Sequence, residues 1–490
     1  MEQLFDGSEK KIWNFNKFAG RMAGSDDQGN HISYEELNDF AEKIGQTIGK
    51  RKLVFLIASN TIASMAGYVG LINSGNVPVM LSEDLDEQQL LNLYNTYRPD
   101  YLYTRKGRID ETWMGEPVLQ FEEKNSQDKE NGPYVLYRTK GDESYELYPQ
   151  LALLLTTSGS TGSPKLVRQS YDNIRSNMDS IVEYLKLDAE EKPITTLPMN
   201  YTYGLSIINS HLAVGATVLF TEKSTLQREF WDFFVKEGAT SFGGVPYTYE
   251  ILKKLRIFKM DLPSLKTMTQ AGGKLSPQLH KEFASFAKET GREFVVMYGQ
   301  TEATARMAYL PADKSLEKYG SMGIAIPGGK FTLIDVDGKE ISAPGVVGEL
   351  VYRGKNVTLG YAEEGRDLIK PDENQGVLYT GDMAKRDEDG FYYIVGRKKR
   401  FLKIFGSRIN LDEVGNLIKD NFEGLDCAAA GKDDAMYLFI DDEKLEKQVE
   451  SFVHEKFSIS LKAIHVKALK EIPKNDAGKI LYTKLECYYD

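Results

Sequence analysis

The apolar positions of this chain follow two rhythms. Over residues 32–50, Tyr34 and Leu37, then Phe40, Ala41 and Ile44, recur at helical spacing, which predicts an amphipathic helix. Residues 52–58 follow as a short, continuous apolar run of strand length. Residues 62–73 predict a second helix with small residues on one face. Residues 77–81 read as a strand, 84–97 as a helix and 101–104 as a strand. Alternating apolar runs and helical segments of this length predict a parallel, doubly wound sheet. The pattern resumes at 151–155, an apolar run suited to a buried strand. Helix 170–187, strand 217–220 and helix 226–237 follow.

From about residue 331 the texture changes to short strands separated by Gly and Pro turns, at 331–336, 348–352 and 391–395. Residues 396–490 mix short strands and helices and are rich in lysine. The expected fold class is therefore α/β. A large core over 1–395, with a β-rich subdomain at about 331–395, precedes a small α+β domain over 396–490.

Composition narrows the function. The chain has 490 residues and a net charge of −11, a poor match for nucleic acid or an anionic membrane. Its two cysteines, Cys427 and Cys487, exclude a disulfide framework or a zinc ribbon. The five histidines show no metal-ligand spacing. The first residues lack the basic and apolar regions of a signal peptide. The longest apolar runs fall short of the roughly 20 residues that span a bilayer. The expectation is a cytoplasmic protein without membrane insertion.

One segment carries candidate chemistry. The apolar run 151–155 leads into Thr156, Thr157, Ser158, Gly159, Ser160, Thr161, Gly162, Ser163, Pro164 and Lys165. Glycines let backbone N–H groups turn toward an anion, hydroxyls donate to phosphate oxygens, and Lys165 adds a positive charge. The same composition suits a flexible linker. The abrupt start after a buried strand and the Pro-Lys end favour a phosphate cradle. It is not a Walker A loop, because no Gly-Lys pair opens a helix.

The run Thr157–Lys165 resembles the signature of the adenylate-forming superfamily, which includes acyl-CoA synthetases, peptide-synthetase adenylation domains and luciferases. Further motifs follow in that family's order over most of the chain. Ala271, Gly272 and Gly273 resemble its adenine-flanking turn. Tyr298, Gly299, Gln300, Thr301 and Glu302 resemble its Tyr-Gly-x-Thr-Glu motif. Gly348-Glu349-Leu350, with Gly354, Gly360 and Tyr361, is similar to a structural motif. Tyr379-Thr380-Gly381-Asp382 and Gly396-Arg397-Lys398-Lys399 resemble the ribose-binding and hinge motifs. Pro473-Lys474-Asn475-Asp476-Ala477-Gly478-Lys479 resembles the terminal motif, with Asn475 where threonine is common.

The resemblance implies ATP and Mg²⁺ as reaction partners and a mobile C-terminal domain. It implies adenine stacking on Tyr298, Thr301 at the α-phosphate, Glu302 as metal ligand, and Asp382 and Arg397 at the ribose. Lys479 is the implied catalytic lysine and Lys399 the hinge. Taken singly, Glu302, Asp382 and Lys479 would read as an ordinary carboxylate, a turn residue and a solvated lysine. Their order and spacing give them the family reading.

The acyl pocket is expected around Tyr201, Tyr203, Gln270 and Met297. Tyr201 stands where acyl-CoA synthetases usually carry histidine. No aspartate occurs over residues 200–208 to hold an amino group, which disfavours a free α-amino acid. Gly299 is small where acetate-specific relatives carry an aromatic, implying larger acids. Gly406 and Arg408 are expected on the thiol-acceptor face. The acceptor is CoA or the phosphopantetheine arm of a separate acyl or peptidyl carrier protein, since the chain ends soon after Leu485 without a carrier motif. A luciferase-like oxygenase and a non-catalytic nucleotide-binding homologue share these motifs. The intact Lys479, Glu302 and Asp382 argue against the second.

Overall fold

The computed structural model describes residues 11–109, 114–121, 133–141, 144–156, 165–405, 407–457, 459–474 and 480–489. The chain divides into two compact units. The first comprises Met1–Lys330 and Arg353–Leu378, the second Phe331–Tyr352 and Tyr379–Asp490. The β-rich segment at about 331–395, expected as part of the large core, falls mostly in the second unit.

The first unit is built on an eight-stranded and a nine-stranded mixed sheet. Strands Leu53–Ala58, Val77–Ser82, Tyr101–Arg105 and Leu151–Thr156 form a parallel block in the eight-stranded sheet. Both faces of this block are covered. Val54 and Leu56 enter one hydrophobic cluster, while Leu53, Phe55 and Ile57 enter another. That is the period-two pattern of a strand buried on both sides. Each fully buried aliphatic or aromatic side chain contributes about 1.5–3 kcal/mol from area alone.

Helix Ile62–Asn73 is buried at every position. Its small residues permit this: a Cβ on Gly67 would lie 2.1 Å from the Tyr103 ring. The amphipathic helix Tyr34–Ile48 packs beside it, started by a capping box between Ser33 and Glu36. The α/β class and the predicted alternation hold, with element ends shifted by a few residues. Helix Glu87–Tyr97, for example, begins after its cap Asp86.

The second unit carries a four-stranded sheet, the hairpin Phe401–Ile404 with Ser407–Asn410, and a three-stranded sheet covered by helices Leu411–Asn421 and Glu446–Phe457. Among the described residues, no helix is long and apolar enough to cross a membrane.

Candidate functional site

Strand Leu151–Thr156 pairs antiparallel with Leu166–Ser170, and the register puts Thr156 opposite Leu166. Thr157, Ser158, Gly159, Ser160, Thr161 and Gly162 lie outside the described residues, as do Gly406 and Lys479.

Lys165 is described. Its ammonium stands 3.6 Å from the centroid of the Tyr361 ring and 3.8 Å from Glu363. The Tyr361 hydroxyl donates to Glu302 Oε1 at 2.6 Å. One tyrosine therefore links the lysine of the first motif to the glutamate of the third. Burial, then the bond to Glu302, raises the Tyr361 pKa well above its usual value. It stays protonated and acts as a donor. The other oxygen of Glu302 and the Thr301 hydroxyl have no protein partner among the described residues. A single carboxylate with free coordinating capacity suits Mg²⁺, which is held by few protein ligands plus substrate phosphates. Among the described residues, no group of three or more His, Cys, Asp or Glu forms a fuller cage.

Thr301 and Glu302 sit on a short 3-10 turn, Thr301–Ala303, that follows strand Glu293–Tyr298. Its backbone is held from outside. Thr358 donates to the Glu302 carbonyl from both N and Oγ1, each at 3.0 Å. Asn356 Nδ2 donates to the carbonyls of Ala303 and Arg306 at 2.9 and 3.1 Å. Thr304 occupies the left-handed region at φ 65° and donates to the Asn356 carbonyl at 2.7 Å. Its own carbonyl accepts from Thr202 and Gln169. A turn fixed from so many sides holds Thr301 and Glu302 without help from a ligand.

Gly299 belongs to this brace. A Cβ there would lie 1.7 Å from the Ala305 carbonyl oxygen. The absent side chain makes room for backbone and not for substrate.

Strand Thr267–Gln270 runs into the turn Ala271, Gly272 and Gly273. Gln270 is fully buried beneath that turn and donates to the carbonyls of Ala271 and Gly273 at 3.1 and 3.0 Å. It braces the turn, while its Oε1 is buried without a partner among the described residues. Tyr201, Tyr203 and Met297 do come together. Tyr203 and Met297 form one apolar cluster with Leu197, Ala271 and Val295, against which Tyr201, Tyr184 and Tyr309 pack. The Tyr203 hydroxyl is taken up by Thr269 at 2.8 Å. Tyr201 reaches the turn: a Cβ on Gly272 would meet its hydroxyl at 2.6 Å. Tyr298 accepts a hydrogen bond from Gln300 at 3.1 Å.

In the second unit, the paired strands Val377–Arg386 and Tyr392–Arg397 place Asp382 opposite Arg397. Arg397 Nε lies 2.8 Å from Asp382 Oδ1, and the aspartate is only 3% exposed. Lys398 pairs with Glu349 of the Gly-Glu-Leu motif at 2.6 Å. Three motifs distant in sequence thus converge. Lys399 and Arg408 are described by backbone only, the first in the turn Lys398–Arg400 and the second paired with Lys403. Lys474 bridges Ile480 and makes an ion pair with Asp426 at 2.5 Å.

Sequence reasoning missed Tyr361 as a partner of Glu302, the brace at Asn356 and Thr358, and Arg306, a buried cation in the tyrosine cluster. The signal for Arg306 was a lone charge in the apolar run that continues to Leu310.

The AMP-binding enzyme family matches residues 13–362, well over half of the chain, and the chain belongs to that family. A long-chain-fatty-acid–CoA ligase of Escherichia coli O157:H7 is 29% identical over 360 residues, covering 69% of this chain and 62% of the relative. A 4-hydroxybutyrate–CoA ligase of Metallosphaera sedula is 26% identical over 489 residues, covering 93% and 84%. The chain spans between 54% and 62% of the length of the first curated relatives it matches. The o-succinylbenzoate–CoA synthetase of Bacillus subtilis, solved with its acyl-adenylate intermediate, shares the fold. Its TM-score is 0.75 at 18% identity, over 97% of this chain and 98% of that one.

Tyr361→Phe removes one hydrogen bond to a charged group, worth about 1.5–3 kcal/mol. In the adenylation reaction proposed below, the rate should fall by about tenfold or more, and the Mg²⁺ concentration giving half-maximal rate should rise. A Mg²⁺ titration of the purified variant checks this. An unchanged Mg²⁺ profile would separate Tyr361 from Glu302.

Proposed function

We propose that the protein is an ATP-dependent acid–thiol ligase of the AMP-forming type. The observation that carries this is the convergence of Lys165 and Glu302 on Tyr361. It joins a cation and a partly free carboxylate from separate motifs, as a magnesium–polyphosphate site requires.

In the first half-reaction a carboxylate oxygen of the acid attacks the α-phosphorus of ATP. The bond from that phosphorus to the oxygen bridging the β-phosphate breaks, and pyrophosphate leaves with its electron pair. Mg²⁺, held by Glu302 and phosphate oxygens, would offset the charge on the phosphates. Thr301 would donate to the α-phosphate. Lys165 and the hydroxyls and amides of 157–162 would hold the pyrophosphate side. The turn Ala271–Gly273 with Tyr298 would flank adenine, and Asp382 with Arg397 would take the ribose hydroxyls. Lys479 would bridge the acid's carboxylate and the α-phosphate. Such chemistry gains mainly from positioning and charge neutralisation.

In the second half-reaction a thiol attacks the acyl carbon, AMP leaves and the thiol proton passes to solvent. The C-terminal domain would turn about Lys399, withdrawing Lys479 and presenting the Gly406 and Arg408 face, a gate of the lid type. The matched relatives are named as CoA ligases, which supports CoA as the acceptor. A carrier-protein phosphopantetheine offers the same thiol.

Phosphorus NMR of a complete reaction tests the bond cleaved. Acid-dependent AMP and pyrophosphate are expected, and ADP with inorganic phosphate would refute the proposal. Parallel reactions with CoA and a holo-carrier protein identify the acceptor by which thioester forms.

A further inference from the structure

Among the described residues, two arginines and no lysine are buried, Arg168 and Arg306. Arg168 is fully buried but compensated: it pairs with Glu373 and donates to the carbonyls of Tyr361 and Leu359 at 3.1 and 3.0 Å. Such pairing is what a buried charge ordinarily needs.

Arg306 is 2% exposed and has no carboxylate partner among the described residues. Its Nε donates to Ser206 at 3.1 Å, and its Nη1 lies 3.0 Å from the Tyr184 hydroxyl and 3.3 Å from the Met297 sulfur. The Tyr203 ring lies beneath the guanidinium at 5.2 Å. Nη2 has no protein partner among the described residues. The one titratable imidazole close enough to feel it, His211, is kept neutral by burial, with Arg306 adding to the effect; its pKa falls to about 4. Among the described residues, the side chains that touch the cation, Ser206, Tyr184, Met297 and Tyr203, are neutral.

The location of this charge gives it a use. Met297 and Tyr203, which contact it, belong to the cluster that holds Ala271 at the turn and against which Tyr201 packs. A protein folding around a wholly apolar acid gains nothing from a bare cation there and bears the cost of desolvating it. An acid with a second anionic end would supply the missing partner, and a guanidinium is suited to gripping a carboxylate through two parallel N–H donors.

We propose that Arg306 recognises a second carboxylate on the acid, so that the substrate class is dicarboxylic. This rests on the adenylating function proposed above. One carboxylate goes to the α-phosphorus and the other to Arg306, with Tyr203 and Met297 packing between them. Arg306 determines specificity and takes no part in bond-making.

The test is acid-dependent ATP–pyrophosphate exchange by the full-length protein. Malonate, succinate, glutarate and adipate are compared with butyrate, valerate and hexanoate. At least one dicarboxylate should exceed every monocarboxylate in kcat/KM by about a hundredfold. Arg306→Gln should remove that preference, mostly through KM, and leave monocarboxylate rates equal or higher. Monocarboxylates used as well as or better than dicarboxylates by the unaltered protein would overturn the proposal, with no need for the variant to fold. Equal loss on both acid classes in a folded variant would also overturn it. Exchange with monocarboxylates alone leaves the adenylating function standing, whereas exchange with no acid removes both.

Discussion

Lys479→Ala is expected to abolish acyl-adenylate formation while sparing thioester formation from supplied acyl-adenylate. The lysine's proposed task is confined to the first step, where charge shifts between the carboxylate and the α-phosphate. Removing one preorganised charge or donor from such a site typically costs about 10²–10³ in rate, or roughly 2.7–4 kcal/mol. The second step needs a thiol and a polarised carbonyl, and in the proposed cycle Lys479 has left by then. The local fold should survive, because Leu481 N donates to the Pro473 carbonyl at 2.8 Å and Lys474 keeps its pair with Asp426. Exchange kinetics on one side and CoA acylation from synthetic acyl-adenylate on the other separate the steps. Equal loss in both would contradict the assigned role.

Glu302→Gln should have the second largest effect, a fall of about a hundredfold or more in adenylation at fixed Mg²⁺. The substitution is nearly isosteric and keeps an acceptor for the Tyr361 hydroxyl. It removes the charge that would hold the metal. Stability should change by less than about 0.5 kcal/mol, because the brace acts on the Glu302 carbonyl through Thr358 and not on its carboxylate. The Mg²⁺ titration should shift upward in midpoint, further than for Tyr361→Phe. A midpoint equal to that of the unaltered protein would place the metal elsewhere.

What the sequence revealed and what it hid have different physical causes. Strands such as Leu53–Ala58 and helices such as Ile62–Asn73 were legible because burial imposes a period on neighbouring residues. The division of the chain was less so. Strand Gly360–Ala362 crosses back to pair with Leu166–Ser170 in the first unit, while the strands on either side of it join the second. A long-range antiparallel pairing leaves no mark in local periodicity.

The motifs at 271–273, 298–302 and 382 were legible as short patterns of reactive side chains. Their support was not. Asn356 and Thr358 hold a turn more than fifty residues earlier through ordinary amide and hydroxyl groups. The small size of Gly299 is visible in the sequence, but the Ala305 carbonyl that a Cβ there would meet is not. The hydrogen bonds from Gln270 to the Ala271 and Gly273 carbonyls, which brace the turn, leave no mark in the local pattern. Arg306 could be seen in the sequence, but its lack of an acidic partner could be known only from what surrounds it.

The central claim is that this chain joins a carboxylic acid to the α-phosphate of ATP. Carboxylate-dependent ATP–pyrophosphate exchange, measured with labelled pyrophosphate across a panel of acids, tests it most directly. Exchange that requires an acid, needs Mg²⁺ and is lost in Lys479→Ala is the predicted result. A folded protein that exchanges no label with any acid in the panel would contradict it.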